Sequence, residues 1–177
     1  MDVLKRSFLL FFVLLASLTG FSQNQNLFDA IRNNNNTILK KALERDHSLA
    51  NKVNEKGFTP LILASYHHNL DAARMLLNYG ADVNALSDMG TALMAATYKK
   101  DLEMVTLLIE HGANVNLKDA NGTTALHLAC IFNIEPIAKI LIKNKANLNS
   151  KDQKSKTPLD YAILNNNIDI IKLFDHE

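Results

Sequence analysis

The sequence has a single cysteine, no tryptophan, three prolines and six glycines in 177 residues, and its 19 Lys+Arg are matched by 18 Asp+Glu. Each scarcity closes a route. Cys130 alone can form no intrachain disulfide and no multi-thiolate metal centre, so neither device holds the fold. A formal net charge of +1 supplies no basic field for nucleic-acid phosphates or an anionic membrane surface, and no acidic field for cationic partners. There is no Gly-rich phosphate cradle, no Gly-x-Ser-x-Gly elbow and no His-Glu-x-x-His helix, which removes the commonest sequence signatures of nucleotide, hydrolase and zinc chemistry. Apolar residues are plentiful: 47% of the chain is hydrophobic and 21% charged, the proportions of one soluble domain.

The first residues are set apart. Lys5 and Arg6 precede an apolar run from Phe8 to Leu18, then Thr19-Gly20-Phe21-Ser22 and the polar Gln23-Asn24-Gln25-Asn26. A basic head, a short apolar middle and a small-residue exit make up a secretory signal peptide. The run is shorter than the roughly 20 residues a helix needs to cross hydrocarbon. Residues 1–22 are therefore expected to be a signal peptide cleaved after Ser22, and 23–26 a short polar linker. Retention of the segment as a membrane tether is the alternative. No cysteine stands near the cut to be acylated. Export to the periplasm or beyond follows, and there a lone thiol has to be buried or modified.

The remaining residues repeat with a period near 33, the mark of stacked supersecondary units. Gly57-Phe58-Thr59-Pro60-Leu61-Ile62-Leu63-Ala64 aligns with Gly90-Thr91-Ala92-Leu93-Met94-Ala95-Ala96, with Gly122-Thr123-Thr124-Ala125-Leu126-His127-Leu128-Ala129 and with Ser155-Lys156-Thr157-Pro158-Leu159-Asp160-Tyr161-Ala162. A second block, Gly80-Ala81-Asp82-Val83-Asn84, recurs as Gly112-Ala113-Asn114-Val115-Asn116 and as Lys145-Ala146-Asn147-Leu148-Asn149. Leu61 to Leu93 is 32 residues, but Leu93 to Leu126 and Leu126 to Leu159 are each 33, so one loop between Asn84 and Thr91 is a residue short.

These in-phase blocks resemble the ankyrin repeat family over nearly all of residues 27–175, with a divergent first unit carrying Leu27-Phe28-Asp29-Ala30-Ile31 and Ile38-Leu39-Lys40-Lys41-Ala42-Leu43. The resemblance implies an all-α repeat solenoid of about five helix-turn-helix units with hairpin-like loops, at 27–53, 54–86, 87–118, 119–151 and 152–177. The residues support it independently. Thr59, Thr91, Thr124 and Thr157 stand where a side-chain oxygen accepts the free amides of a helix start, and Pro60 and Pro158 fall in the first turn, where no amide is missed. Polar breaks at His67-His68-Asn69, Lys99-Lys100-Asp101 and Asn165-Asn166-Asn167 precede a second, amphipathic helix, with Leu102, Val105, Leu108 and Ile109 at helical spacing.

Gly80 and Gly112 then follow where a left-handed residue ends a helix. Lys145 replaces that glycine in the fourth unit, at a cost on the order of 1 kcal/mol if its φ is positive. Pro136 is expected in the first turn of a second helix, where proline is accepted. The first unit has Arg45 to Asn51 in place of the glycine turn, and the last helix is expected to fray.

Chemistry is sparse. His127, in Thr-Ala-Leu-His-Leu-Ala, takes the position whose histidine, by the resemblance, ties neighbouring repeat loops together. His67 and His68 are adjacent and so point apart, unlike a metal-sharing i, i+4 pair. His47, His111 and His176 have no acidic or sulfur companion at a recognisable spacing. Cys130 lies on a packed first helix and reads as a buried thiol. An enzyme using Cys130 or a His67/His68 metal site is the rival from another class. The reading taken is non-catalytic, with no cofactor, metal, nucleic acid or small-molecule substrate, and an unidentified protein as the partner of a monomer. A membrane enters only if the signal segment stays uncleaved.

The resemblance places recognition on the hairpin tips and the exposed edge of the first helices. Carried over residue by residue, those positions are Glu55, Lys56, Phe58, Tyr66 and His67; Asp88, Met89, Tyr98 and Lys99; Asn121, Thr123, Ile131 and Phe132; and Lys154, Lys156 and Leu164. Phe58, Tyr66, Met89, Tyr98, Ile131 and Phe132 are expected to form one apolar, ring-rich stripe, since aromatics anchor protein interfaces.

Overall fold

The computed structural model describes residues 27–175; the signal-peptide expectation and His176 lie outside the described residues. Helical residues 27–32 (α1) are followed by α2 (Asn36–Arg45) and a 3₁₀ turn (His47–Asn51). Four further pairs come next: α3 (Pro60–Tyr66) with α4 (Leu70–Asn78), α5 (Ala92–Tyr98) with α6 (Leu102–Glu110), α7 (Ala125–Ile131) with α8 (Glu135–Lys143), and α9 (Pro158–Leu164) with α10 (Ile168–Lys172). Among the described residues the strand-like pairing is one isolated bridge, Ser87 with Gly90. The first helices pack in the row α3, α5, α7, α9 and the second helices in the row α2, α4, α6, α8, α10. The architecture is thus an all-α repeat solenoid.

The helix starts fall where the threonines put them. The hydroxyls of Thr59, Thr91, Thr124 and Thr157 accept from the backbone N–H of Ile62, Met94, His127 and Asp160. Between the helices of a pair the chain closes in one recurring way. The N–H groups of Asn35, Asn69, Asp101, Ile134 and Asn167 donate to the carbonyls of Ala30, Ala64, Ala96, Ala129 and Ala162 at 2.7–3.1 Å. The residue before each donor is left-handed: Asn34, His68, Lys100, Asn133 and Asn166 have φ of 53–59°. This closure satisfies carbonyls that a helix end leaves open. The alanines are all buried, because a larger side chain there would hold adjacent first helices apart. Pro136 falls in the first turn of α8, as its sequence context requires.

Burial explains why the two helix types read differently in the sequence. Each interior first helix lies between neighbours on both sides, so Pro60 through Ser65 are buried without a break, whereas α9 at the end of the row buries only Pro158 and Ala162. Each second helix buries one face, as with Met104, Val105, Leu107 and Leu108 in α6. Ser65 and Thr97, buried in the first helices, donate to Leu61 O and Leu93 O at 2.9 and 2.8 Å. No buried side-chain nitrogen or oxygen among the described residues lacks a hydrogen-bond partner.

The loops are built on one acceptor each. Asn54 Oδ1 accepts from the N–H of Lys56 and Phe58, Asp119 Oδ1 from Asn121 and Thr123, and Asp152 Oδ1 from Lys154 and Lys156. The short loop is located here: Ser87 stands where the others have Asn or Asp, and its N–H bonds directly to Gly90 O at 3.1 Å, leaving only Asp88 and Met89 at the tip. A Cβ at Gly90 would run into the Met94 side chain, which would have to move, and the φ of 101° already favours glycine there.

Successive units are also tied by an asparagine ladder. Asn51 Nδ2 donates to Gly80 O (2.8 Å) and its Oδ1 accepts from Asp82 N (2.7 Å). Asn84 repeats the pair with Gly112 O (3.3 Å) and Asn114 N (2.7 Å), and Asn116 with Lys145 O (3.1 Å) and Asn147 N (2.6 Å). Lys145 has a φ of 64°, so the left-handed turn forms in the fourth unit without its glycine.

Candidate protein-binding surface

The C-terminal ends of the first helices carry a row of rings. Tyr66 ends α3 and Tyr98 ends α5; they stack with centroids 6.2 Å apart and planes 12° from parallel. Phe132, one residue beyond α7, meets Tyr98 edge-on at 5.3 Å. Tyr66 and Tyr98 are 42% and 50% exposed, while Phe132 is half-buried and packs back on the core. Lys99 Nζ sits 4.9 Å from the Tyr66 centroid, and the His67 ring stands edge-on to Tyr66 at 5.4 Å. His67 is held below the usual histidine range, first by burial and then by the positive charges of Arg32, Lys99 and His68.

The remaining expected positions divide. Glu55, Lys56, Asp88, Met89, Asn121, Lys154 and Lys156 are exposed at the tips, with Met89 at 74%. Thr123 and Ile131 are half-buried, and Leu164 is 66% exposed at the end of α9. Phe58 does not stand open: Asn54 Oδ1 draws in its N–H at 3.0 Å and the ring packs against the core. Nor is there a single stripe. Met89 and the tips precede the first helices and the rings end them, so a seven-residue helix, about 10 Å long, separates two parallel rows.

Two ties escape the sequence reading. His68 Nδ1–H donates to Asp101 Oδ2 at 2.9 Å across adjacent units, while Asp101 Oδ1 caps α6 through Met104 N at 3.0 Å. His67 and His68 therefore serve different neighbours and share no metal-binding geometry. The other tie is the asparagine ladder, whose signal was the recurrence of Asn51, Asn84 and Asn116 at 33 and 32 residues.

The expected tie at His127 is present. Thr124 N–H donates to its Nδ1 at 3.2 Å, the Thr124 hydroxyl lies 2.8 Å from the same atom, and Nε2–H donates to Lys156 O in the next unit at 3.1 Å. Burial holds this ring below the usual histidine range, more than the Lys156 carbonyl and Asp152 oppose it. Cys130 takes the first-helix position of Ser65 and Thr97. It is fully buried, and burial pushes its thiol up to about 12, the reverse of what a nucleophilic cysteine needs. His47 packs edge-on against Tyr79 at 4.9 Å, and His111 Nδ1–H donates to Leu107 O at 2.8 Å.

A family model for ankyrin repeats in three copies matches residues 27–119 and again residues 93–177, so the chain belongs to the ankyrin repeat family, whose repeats generally bind protein partners. The human DNA-binding protein RFXANK is 45% identical over 49 residues, which are 28% of this chain and 19% of that protein. The chain thus matches about a fifth of the length of that relative.

Proposed function

We propose that this protein is an exported, non-catalytic binding protein that holds a protein partner on the face formed by the tips and inner ends of its first helices. The observation that carries the reading is the Tyr66–Tyr98 pair, with Phe132 edge-on to Tyr98. Rings of this size left about half exposed on a rigid frame are what an interface uses as anchors. The frame itself needs no ligand to hold its shape, because every buried side-chain polar group described has a partner. Specificity then resides in side chains grafted on the stack. Export rests on the composition of residues 1–22, with retention in the periplasm favoured over full secretion.

The test is affinity capture from the exporting compartment with the native chain and with Tyr66→Ala/Tyr98→Ala. Partner recovery is expected to fall at least tenfold while helical circular dichroism is unchanged. Stability should fall by about 2–3 kcal/mol, since two ring pairs and the buried half of each tyrosine are lost, which leaves the chain folded at the assay temperature. Full recovery by the folded double variant overturns the reading. Mass spectrometry of the mature N-terminus tests export separately: a chain beginning at Gln23 is expected, and an intact Met1 in a membrane fraction favours the tethered scaffold.

A further inference from the structure

The ring row is not electrically neutral. Arg32, at the end of α1, holds the place in its unit that Tyr66 and Tyr98 hold in theirs, as the shared closure on Ala30, Ala64 and Ala96 shows. Its charge reaches His67, as does that of Lys99. The carboxylates nearby are committed: Asp29 pairs with Arg32 at 2.8 Å, and Asp101 both caps α6 and receives His68. Among the described residues no carboxylate lies within ion-pair distance of Lys99, whose ammonium rests instead over the Tyr66 ring. Two half-exposed rings therefore lie beside the uncompensated ammonium of Lys99, with Arg32, already paired to Asp29, further along the same row.

We infer that the partner presents an acidic segment to this ledge, with an aromatic or long aliphatic side chain packed on Tyr66 and Tyr98 and a flanking Asp or Glu carboxylate facing Lys99. The inference rests on the protein-binding reading and narrows its partner. Charge complementarity selects the segment: a carboxylate beside Lys99 meets an ammonium with no competing anion, whereas a basic side chain in that place meets its repulsion. A nucleic acid strand also has rings and negative charge, but it needs basic groups along its track. Here the corresponding positions turn apolar within two units, at Ile131, Phe132 and Leu164. A short segment fits and a long polyanion does not.

Selection of a random dodecapeptide display library on the immobilised full chain tests this without a known partner. Enriched sequences are expected to be acidic around one aromatic or aliphatic residue. A synthetic peptide of the enriched sequence is expected to bind more weakly at raised salt, at least tenfold more weakly to Lys99→Glu, and not detectably to Tyr66→Ala/Tyr98→Ala. Enrichment of neutral or basic sequences that the double variant fails to bind overturns the acidic assignment and leaves the protein-binding reading standing. No enrichment over an uncoated surface overturns both. Tighter binding of oligothymidylate than of the selected peptide overturns the choice of a peptide over a nucleic acid.

Discussion

Replacing His127 with leucine probes the joint between the fourth and fifth units. The imidazole is fully buried and joins two units through Thr124 on one side and the Lys156 carbonyl on the other. Leucine keeps the apolar volume that Ile62 and Met94 supply at the same helical position in α3 and α5, so shape alone is tolerated. What is lost is the hydrogen bond to Lys156 O, about 1 kcal/mol net, and the acceptor for the Thr124 amide, whose desolvation costs about 1–3 kcal/mol when unpaired. Added apolar contact offsets roughly 1 kcal/mol. The net expectation is a loss of about 2 kcal/mol in urea unfolding followed by circular dichroism.

The same variant should change the pH dependence. The native ring has its proton affinity lowered below the ordinary 6.5, so the unfolded chain binds the proton more readily. Stability is therefore full above about pH 6.5 and falls as the pH drops through that value toward the depressed native one, with a slope of at most about 1.4 kcal/mol per pH unit for one proton. His127→Leu should remove that share of the slope and leave the share contributed by His67, which is lowered in the same direction. A loss under about 0.5 kcal/mol, or a slope equal to the native one, would refute the bridging role.

Lys145→Gly should raise stability by about 0.5–1 kcal/mol and Gly112→Ala should lower it by about 1, since both sites are left-handed turns and Gly112 has open space around it; equal melting curves for the two variants would contradict this. Gly90→Ala should cost more, about 2 kcal/mol, because contact with Met94 adds to the strained φ, and its loss should be less than additive with that of Met94→Ala, which removes the contact but itself costs about 2–5 kcal/mol at a buried site. Asn84→Ala removes both hydrogen bonds of one rung, and water can replace part of them at this exposed site, so a loss of about 1 kcal/mol is expected in the same urea assay. A disulfide reagent at neutral pH should label Cys130 only as fast as the chain opens; rapid labelling of the folded protein would show the thiol to be accessible.

Much of this frame could be read from one dimension of the sequence. The threonine caps, Pro60, Pro158, Pro136 and the glycine turns act within three or four residues of themselves, so spacing reveals them. Even Lys145 could be placed in a left-handed turn, because its phase in the repeat was clear. Interactions between units were harder to see. Asn51, Asn84 and Asn116 look like ordinary loop residues until their partners, 28–31 residues away, are considered. The His68–Asp101 pair spans 33 residues and is hidden in the same way. For the candidate surface, Phe132 turns back on the core, whereas Tyr66 and Tyr98 were legible as exposed first-helix ends. Their separation from Met89 by the length of a helix was not, because family positions show which residues face outward but not how far apart they stand. Phe58 was misplaced because the hydrogen bond that draws it inward belongs to Asn54, four residues earlier.

Each asparagine rung has its side chain in one unit and both its backbone partners in the next. A tandem in-frame duplication of residues 117–149 would therefore leave no rung without a mate: the original Asn149 would meet the copy of Lys145 and of Asn147 as Asn116 now meets the originals. Length changes inside a unit are absorbed only at a loop tip, as in the short Ser87–Gly90 loop whose Asn84 rung still forms; within a helix they would move the rung partners out of phase. Gene rearrangement can thus lengthen or shorten this protein's reach only in whole steps, while point substitution is free to revise what each step holds.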